Sequence, residues 1–290
     1  MGLLMNLDGV ITPDAQISVL DRGFLYGDSL YEVARTFGGR PFALLEHLAR
    51  LRQSAAYLYI NIRWSDAQIC TEVERTLAAA NNLESYVRIV VTRGAEEEIS
   101  LFPGAEIEPH LLIIVRPIPP NPSLAEKGLH LTLLPRLRVD RRALTPAAKT
   151  GNYLNNILAL IEAKQAGADD ALLLNNQGEV TEATTSNLWI LRKGILYTPV
   201  VESGILQGIT RQFLLDLLKE WQIAHKEATL TQEDLWDAEE AFLSSSVRLI
   251  APVGRIGDYS LPSCPGALTR RLFAGLIERM TAKADALGKK

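Results

Sequence analysis

A run of prolines near the middle of the chain restricts the fold more than any other feature. The apolar residues 111–115 (LLIIV) have the composition of a strand, and the segment RPIPPNPSLAEKG that follows contains four prolines. Proline lacks a backbone N–H donor and has a fixed φ, so neither a helix nor a central strand continues through such a segment. We therefore predict an N-terminal α/β domain at residues 1–117, a linker at 118–128 and a C-terminal α/β domain at 129–290.

Before the linker, local patterns predict two helices and a strand. Apolar residues recur at three- and four-residue steps over residues 44–58, which is typical of an amphipathic helix. The sequence S-D-A-Q, which starts at Ser65, resembles a capping box and predicts the start of a second helix. Residues 86–92 (YVRIVVT) are rich in β-branched side chains, and a strand with period-two alternation there would place Tyr86 and Arg88 on one side.

After the linker, the patterns predict an alternation of strands and helices. A strand is expected from residue 129 and a helix from about 152 to 166, which Gly167 would end. Short strands joined by tight turns should follow as far as residue 199, with Glu182 between two of them. Together, the two halves indicate an α+β protein.

Composition excludes several classes of function. The formal net charge is −4, which provides no basic surface for a nucleic-acid backbone. No window approaches the roughly 18 apolar residues of a membrane helix, so we expect a cytoplasmic protein without a membrane partner. The four histidines are scattered and the chain has only two cysteines, so we predict no metal site.

Lysine is scarce, which narrows the search for a nucleophilic amine. The chain has nine lysines among its 30 basic residues, and the first of them is Lys127. Lys149 lies among small residues in AAKTGNYLNN, just before the helix expected at residue 152. A lysine acts as a nucleophile when partial burial or neighbouring cations lower the pKa of its amine. Taken alone, however, Lys149 is more simply interpreted as a solvated surface charge.

Three further segments are each weak evidence for a functional site, but together they indicate one. Glu182 lies in EVTEATTSN, Thr210 follows a glycine loop at the start of a helix in GILQGITR, and residues 244–247 read SSSV. Separately, these segments are a surface glutamate, a common helix cap and a serine turn. Pyridoxal 5′-phosphate needs a lysine for its Schiff base, a carboxylate at its pyridine nitrogen, and donors such as a helix N-terminus and an arginine for its phosphate. That cofactor would use the whole set.

The order of these segments also indicates a family. The chain carries, in order, LDRGFLYGDSLYEVART, EHLARLRQSA, YVRIVVTRG, KTGNYLNN, EVTEATTSN, GILQGITR and FLSSSVRLIAPV. Over nearly its whole length it resembles the class IV, or fold-type IV, pyridoxal-phosphate-dependent aminotransferases. This group includes branched-chain aminotransferases, D-amino acid aminotransferases and 4-amino-4-deoxychorismate lyases. The resemblance implies a two-domain α+β fold of the D-amino acid aminotransferase type, with mixed sheets and a barrel-like C-terminal domain that carries the lysine.

The resemblance also assigns roles to individual residues. It implies that Lys149 is the catalytic residue that forms the Schiff base, that Glu182 pairs with the pyridine nitrogen, and that Arg50 binds the phosphate. The other implied cofactor contacts are Tyr153 at the ring hydroxyl, Leu206 on the ring, and Ile209, Thr210 and Ser246 at the phosphate. The implied substrate-binding residues are Tyr26, Tyr31, Arg35, Tyr86, Arg88 and Val247.

Substrate choice is divided between members of the family. D-amino acid aminotransferases typically bind the substrate carboxylate with an Arg and a His, and this chain has Glu98 and Ser100 at those places. The Tyr86 and Arg88 pair matches branched-chain enzymes, so we expect transfer from branched-chain L-amino acids to 2-oxo acids such as 2-oxoglutarate by a ping-pong mechanism. Tyr31, however, matches the D-amino acid enzymes. An aminotransferase for D-amino acids or (R)-amines with a different carboxylate site, and an aminodeoxychorismate lyase, remain as alternatives.

Two further expectations concern Arg248 and the partners. Arg248 departs from the family pattern and could bind a second substrate carboxylate or be a surface arginine, and the surface interpretation is favoured. The resemblance implies small-molecule amino acid and 2-oxo acid substrates. It also implies a homodimer or a higher homo-oligomer.

Overall fold

The computed structural model describes residues 2–120 and 122–287, and the chain divides into two compact units. Of the described residues, the first unit contains 2–120, 148–152 and 280–287, and the second contains 122–147 and 153–279. The chain passes from the first unit to the second between residues 120 and 122, inside the proline-rich segment 118–128. Residues 148–152, which we expected in the C-terminal domain, belong to the first unit, because Thr150 pairs with Leu30 and the Gly151 N–H donates to the Ser29 carbonyl.

The first unit contains an antiparallel sheet and helices that pack on it. In chain order its elements are β1 Leu4–Leu7, β2 Val10–Thr12, α1 Arg22–Tyr26, β3 Ser29–Phe37, β4 Arg40–Pro41, α2 Leu44–Leu58, α3 Asp66–Ala80, β5 Ser85–Thr92 and β6 His110–Pro117. The strand order in the sheet is β2-β1-β6-β5-β3-β4. The helices predicted at residue 44 and at Ser65 and the strand predicted over residues 86–92 are thus confirmed as α2, α3 and β5.

Helix α3 shows how local sequence sets the ends of an element. The Ser65 hydroxyl accepts from the Gln68 N–H, and the Gln68 side chain accepts from the Ser65 N–H, which completes the capping box. At the other end Asn81 adopts a left-handed conformation with φ 48° and its N–H donates to the Leu77 carbonyl. Both ends were therefore predictable from the sequence.

The two faces of the sheet differ in chemistry. Side chains alternate between the faces, so the strand register decides which residues lie together. One face packs on α2 and α3 and forms the core, which includes Leu30, Leu48, Leu51, Ile69, Val73, Val87, Ile89, Val91, Ile113 and Val115. Strands β3 and β5 pair Arg35 with Tyr86 and Val33 with Arg88, so these residues and Tyr31 lie on the opposite face. The alternating burial of β5 confirms that Tyr86 and Arg88 share one side.

The second unit contains the remaining elements. They are β7 Leu129–Leu137, α4 Leu154–Gln165, β8 Asp170–Leu174, β9 Val180–Ala183, β10 Asn187–Arg192, β11 Ile195–Pro199, α5 Ile209–Glu220, β12 His225–Ala228, α6 Gln232–Trp236, β13 Glu240–Ser245, β14 Leu249–Ile256, β15 Tyr259–Ser260 and α7 Ala267–Leu287, of which the residues from 280 onward are grouped with the first unit. A short 3₁₀ helix, Val201–Ser203, precedes α5.

Six of these strands close on themselves. Strands β9, β8, β7, β14, β13 and β10 are successive neighbours, and a pairing of Glu182 with Asn187 joins β10 back to β9. Strands β11 and β12 extend the sheet from β10, and β15 pairs with β14. Buried aliphatic side chains of this sheet, among them Leu131, Leu172, Leu188, Leu243 and Val253, form one core cluster. The expectation of a barrel-like sheet after the linker is confirmed.

Two local predictions need correction in this unit. Glu182 lies within strand β9 and not in a turn between strands. Strand β9 pairs with β8 on one side and with β10 on the other, because it closes the barrel. These backbone hydrogen bonds hold its polar and small residues in a strand, without the alternation of apolar and polar residues that would have predicted one. Helix α4 begins at Leu154, two residues later than expected, with Tyr153 as its N-cap.

A buried ion pair joins α2 to β3 in the first unit. The Glu32 side chain lies on the helix-facing side of β3 and is 1% exposed. Arg50 donates to both carboxylate oxygens through Nε and Nη2 at 2.7 Å each, and the His47 Nδ1 lies 2.7 Å from Oε2. Burial by itself raises the pKa of Glu32, but the charge and hydrogen bonds of Arg50, together with His47, outweigh it and lower the pKa to about 2.

We predict that Glu32→Gln destabilises the protein by about 3–5 kcal/mol at pH 7, because it leaves Arg50 buried without its counter-ion. Because the pKa of Glu32 is lowered from 4.5 to about 2, its contribution is complete above pH 4.5 and is lost as the pH falls toward 2. The stability difference between the native chain and the variant should therefore shrink over that window. Urea unfolding at several pH values measures it, with Glu126→Gln in an exposed ion pair as the control. A difference that stays constant between pH 5 and pH 3 would contradict the assignment.

Candidate functional site

The segment that carries Lys149 runs along the edge of β3. The Tyr31 N–H donates to the Lys149 carbonyl at 3.0 Å, and the Gly151 N–H donates to the Ser29 carbonyl at 2.7 Å. On the other side, the Lys149 N–H donates to the Ser54 hydroxyl on α2 at 3.0 Å. Both backbone groups of Lys149 are thus bound, one to the sheet and one to the helix. The backbone position of the lysine is therefore set by secondary structure and not by a free loop.

The amine of Lys149 lies beside an aromatic ring that also binds an arginine. The Nζ atom is 4.4 Å from the centroid of the Tyr31 ring, and the Cζ atom of Arg88 is 3.8 Å from the same centroid. The Tyr31 side chain is buried and Arg88 is half-buried. The negative faces of aromatic rings attract cations, and this attraction strengthens as water is excluded. The ring therefore gathers two cations at one place on the sheet.

Other predicted substrate residues lie on the same face of the sheet or near one end of it. Arg35 is buried, donates to the Pro119 carbonyl at 3.4 Å, and lies over the Phe37 ring at 4.8 Å. Tyr86 has the Cζ atom of Arg116 over its ring at 4.6 Å. The structure thus brings together Tyr31, Arg35, Tyr86 and Arg88, and it adds Arg116, which we did not predict although period-two alternation in β6 could have placed it. Tyr26 ends α1, where Arg22 lies 4.9 Å from its ring.

Arg50 is on the opposite side of β3 from this cluster. Its guanidinium holds Glu32 as described above, and Ser54, which binds the lysine segment, is one turn further along α2. The predicted phosphate contact of Arg50 remains a prediction. Glu32 and His47 were not among our candidates, although the spacing of His47 and Arg50 on one helix face could have suggested that they share a partner.

Arg22 organises the acidic loop that follows β5. Its side chain is buried, and Nη1 donates to a carboxylate oxygen of Glu96 at 2.9 Å and to the Ser100 carbonyl at 2.6 Å. Nη2 donates to the Leu101 carbonyl at 2.6 Å. The charge of Glu96 is thus compensated, whereas Glu98 is exposed. At residues 98 and 100 the loop thus presents a carboxylate and a hydroxyl.

In the second unit, Glu182 is the centre of a separate polar cluster. It is 5% exposed, and its Oε1 atom lies 2.6 Å from Nη2 of Arg138. Its Oε2 atom accepts from the Asn187 side chain at 3.0 Å and from the Leu206 N–H at 3.2 Å. These donors compensate for the negative charge of the buried carboxylate. Leu206 was predicted as a contact of the cofactor ring, which remains a prediction, whereas Arg138 and Asn187 were missed. Asn187 ends the EVTEATTSN motif and could have been found.

The N-terminus of α5 lies directly after this cluster. The N-cap is Gly208, which supplies no side-chain cap, and Ile209 and the buried Thr210 form the first turn. A Cβ atom on Gly208 would lie 2.1 Å from Oδ1 of Asn187, so only glycine fits there. The first N–H groups of a helix lack intrahelical acceptors and suit an anion.

The remaining predicted residues lie at two junctions of the same unit. Ser246 and Val247 are half-buried in the turn that joins β13 to β14, where Ser245 pairs with Leu249. Ser244 belongs to the strand and accepts from the Trp189 side chain at 2.9 Å, so the serine run is not a turn throughout. Tyr153 is the half-buried N-cap of α4.

Within residues 2–120 and 122–287, no three or more His, Cys, Asp or Glu side chains are grouped so that they could hold a metal ion. No helix there has the length and apolar character needed to cross a membrane.

Comparison with known proteins identifies the family. Residues 29–256 match the family described as amino-transferase class IV. The chain is 39% identical to a protein of Methanocaldococcus jannaschii provisionally named branched-chain-amino-acid aminotransferase, over 88% of each chain, and 34% identical to the D-alanine aminotransferase of Listeria monocytogenes, over 99% of each. Its structure is similar to the branched-chain aminotransferase of Thermoproteus uzoniensis, with a TM-score of 0.90, 27% identity, and coverage of 98% of this chain and 96% of that one. The chain therefore belongs to the class IV aminotransferases.

Proposed function

We propose that this aminotransferase uses pyridoxal 5′-phosphate to transfer the amino group of a branched-chain L-amino acid to a 2-oxo acid such as 2-oxoglutarate. The observation that carries the proposal is the cluster of Lys149, Tyr31 and Arg88, in which an amine and a guanidinium share one aromatic ring. An amine is required for the transfer, and a cation beside it suits the carboxylate of an amino acid. The names of the related proteins support the reaction class and include branched-chain enzymes.

The donor set of the second unit fits the cofactor. Glu182 is a buried carboxylate, the kind of group with which a protonated pyridine nitrogen pairs, and the N-terminus of α5 with Thr210 offers donors to a phosphate. Gly208 keeps that N-terminus free of a capping side chain. When bound, pyridoxal phosphate supplies an electron sink that stabilises negative charge at the substrate Cα.

The protein residues then have distinct tasks. Lys149 would hold the cofactor until the amino group of the substrate replaces its amine, and the released Nζ atom would then move the proton from the substrate Cα to the cofactor. Arg88, oriented by Tyr31, binds the substrate carboxylate. Glu182 keeps the pyridine nitrogen protonated, and Arg138 and Asn187 keep that carboxylate in one orientation. An amino acid would enter, leave its amino group on the cofactor and depart as a 2-oxo acid. A second 2-oxo acid would then take up that amino group and depart as an amino acid.

A second candidate function is D-amino acid or (R)-amine transfer. Tyr31 is the residue found at this place in D-amino acid enzymes, and one related protein is named D-alanine aminotransferase. Against it, the loop after β5 has Glu98 and Ser100 in place of a cation pair. A carbon–carbon lyase that acts on aminodeoxychorismate with the same lysine remains a third outcome for the experiment on substrates.

We predict that pyridoxal phosphate attaches covalently to Lys149. Borohydride reduction of the coloured protein followed by peptide mapping should place the label on the peptide that contains Lys149. Lys149→Ala should lose the label and at least about 10³-fold of the transamination rate, because no other amine takes over its two tasks. Lys164→Ala, at an exposed ion pair, is the control and should behave as the native protein. A label on another lysine would overturn the assignment.

We predict that L-leucine and L-glutamate change the absorbance of the bound cofactor rapidly, and that D-alanine and D-glutamate do so slowly. Stopped-flow half-reactions with these amino acids, an (R)-arylalkylamine and aminodeoxychorismate measure the preference. Arg88→Ala should lower kcat/KM by roughly 10–100-fold for each amino acid, because it removes the cation for the common carboxylate. Arg63→Ala, at an exposed ion pair and stacked on Trp64, is the control. Rapid reaction with D-amino acids alone, or pyruvate release from aminodeoxychorismate, would replace the first proposal with one of the alternatives.

We further propose that the protein is a cytoplasmic homodimer whose interface includes the exposed apolar side chains of the loop after β5. The side chains of Ile99, Leu101 and Phe102 are exposed, Phe102 by 85%, and Phe24 on α1 is exposed as well. Arg22 holds this loop in place through carbonyl groups, so the apolar side chains are presented by an ordered segment. Exposed apolar patches of this kind mark association surfaces.

We predict that Leu101→Glu combined with Phe102→Glu converts the dimer to a monomer, because the introduced charges would be desolvated in the interface. Sedimentation equilibrium measures the oligomeric state. Leu83→Glu, at another exposed leucine of the same unit, is the control and should leave the dimer intact. Dimers that persist in the double variant would exclude this loop as the interface.

A further inference from the structure

A buried carboxylate in the second unit has no part in the chemistry proposed above. Asp170 is the first residue of β8 and is 1% exposed. Its Oδ1 atom accepts from the Ala171 N–H at 2.9 Å, from the Thr184 hydroxyl at 2.6 Å and from the Thr184 N–H at 3.3 Å. Thr184 lies two residues after Glu182. One oxygen of Asp170 therefore holds the end of the segment that presents the Glu182 carboxylate.

The other oxygen of Asp170 is opposite an arginine. Its Oδ2 atom lies 3.5 Å from Nη1 of Arg248 and, within the described residues, has no hydrogen-bond partner. Burial of an ionised carboxylate is costly unless a cation compensates for it. The Arg248 side chain is 47% exposed, so it reaches the buried acid from the surface. Arg248 is thus paired with a buried acid and is not an isolated surface charge.

Arg248 lies in a turn that also contains two of the predicted ligand-binding residues. It directly follows Ser246 and Val247 in the turn between β13 and β14. The next residue, Leu249, is fully buried and has φ 61°, a left-handed conformation that a leucine rarely adopts. Such a turn keeps its geometry only if its surroundings determine it. The Arg248 to Asp170 pair links this turn to β8.

We propose that Asp170 and Arg248 are positioning residues that hold the turn at residues 246–248 in register with the Glu182 segment. Asp170 contacts Thr184 with one oxygen and Arg248 with the other, so one carboxylate links the two segments. The effect of the pair on ligands rests on the proposed function, which assigns the phosphate contact to Ser246 and a substrate contact to Val247. The structural link itself does not depend on that function.

The proposal predicts which quantities change when the pair is broken. A mobile turn should bind the cofactor phosphate and the substrate less tightly, whereas the proton transfers at Lys149 involve neither residue. KM and the cofactor dissociation constant should therefore rise while kcat changes little. The rise should be equal for L-leucine and L-glutamate, because the arginine would not touch the substrate. An arginine that binds a second carboxylate would instead affect glutamate alone.

The test uses four variants and a matched control. Arg248→Ala removes the cation, Arg248→Lys retains the charge, Asp170→Asn keeps an acceptor for Thr184 while it loses the ion pair, and the fourth variant combines Arg248→Ala with Asp170→Asn. Arg255→Ala is the control, because Arg255 lies on β14, the strand that follows the turn, has the same 47% side-chain exposure as Arg248 and pairs with the exposed Asp258. Hydrogen–deuterium exchange of the amides at residues 245–249, in protein without cofactor, reports the turn directly. Kinetics with leucine and glutamate and titration with pyridoxal phosphate report its effect.

We expect faster amide exchange at residues 245–249 and roughly three- to tenfold higher KM in Arg248→Ala and Asp170→Asn, with non-additive effects in the double variant. Arg248→Lys should restore part of the loss, and Arg255→Ala should match the native protein. Unchanged exchange in Arg248→Ala, or a loss confined to glutamate, would overturn the proposal. If Asp170→Asn does not fold, the two Arg248 variants decide. If the exchange result holds but no amino acid reacts, only the proposed function fails.

Discussion

The ion pair between Glu32 and Arg50 fixes the geometry on which the lysine depends. Arg50 binds both oxygens of a carboxylate on β3, which sets the position of α2 relative to the sheet. Ser54, one turn further along α2, then lies where its hydroxyl accepts from the Lys149 N–H, while β3 binds the Lys149 carbonyl. A change in the distance between helix and strand would break one of these two bonds. The buried pair is costly to desolvate, so its value lies in fixing this geometry.

In the second unit, closure of the barrel fixes the positions of the candidate functional residues. Strand β9 is short and polar, and it is a strand because β8 and β10 bind it on both sides. Closure pairs Glu182 with Asn187, whose amide also donates to that carboxylate and to the Leu206 carbonyl. The same amide excludes any residue other than glycine at position 208, at the start of α5. The carboxylate and the helix N-terminus are thus placed by one asparagine.

The sequence predicted those features whose causes are local. Helix α3 carries its capping box and its terminal asparagine within the segment itself, and β5 shows its two faces in its alternation. The family motifs then indicated Lys149, Glu182 and the start of α5 as candidate functional positions. Features that depend on distant residues were missed: β9 is defined by barrel closure, Glu32 has its partners on a helix, and Asp170 is paired with a residue 78 positions away. The contacts of residues 148–152 with β3 are likewise long-range. From its position along the chain we expected the lysine segment in the C-terminal domain, whereas it belongs to the first unit.

Several of the arginines, which outnumber the lysines in this chain, bind a specific partner in the structure. The buried Arg22, Arg50 and Arg211 each bind a carboxylate, and the half-buried Arg138 does so as well. Arg88 differs, because in the described part of the chain it forms no ion pair and instead lies over the Tyr31 ring. A carboxylate partner would have to be displaced before Arg88 could bind an anion, whereas an aromatic face orients the guanidinium and leaves its N–H donors available. If Arg88 binds the substrate carboxylate as proposed, the ring would orient it for that contact with no ion pair to break, beside the amine of Lys149.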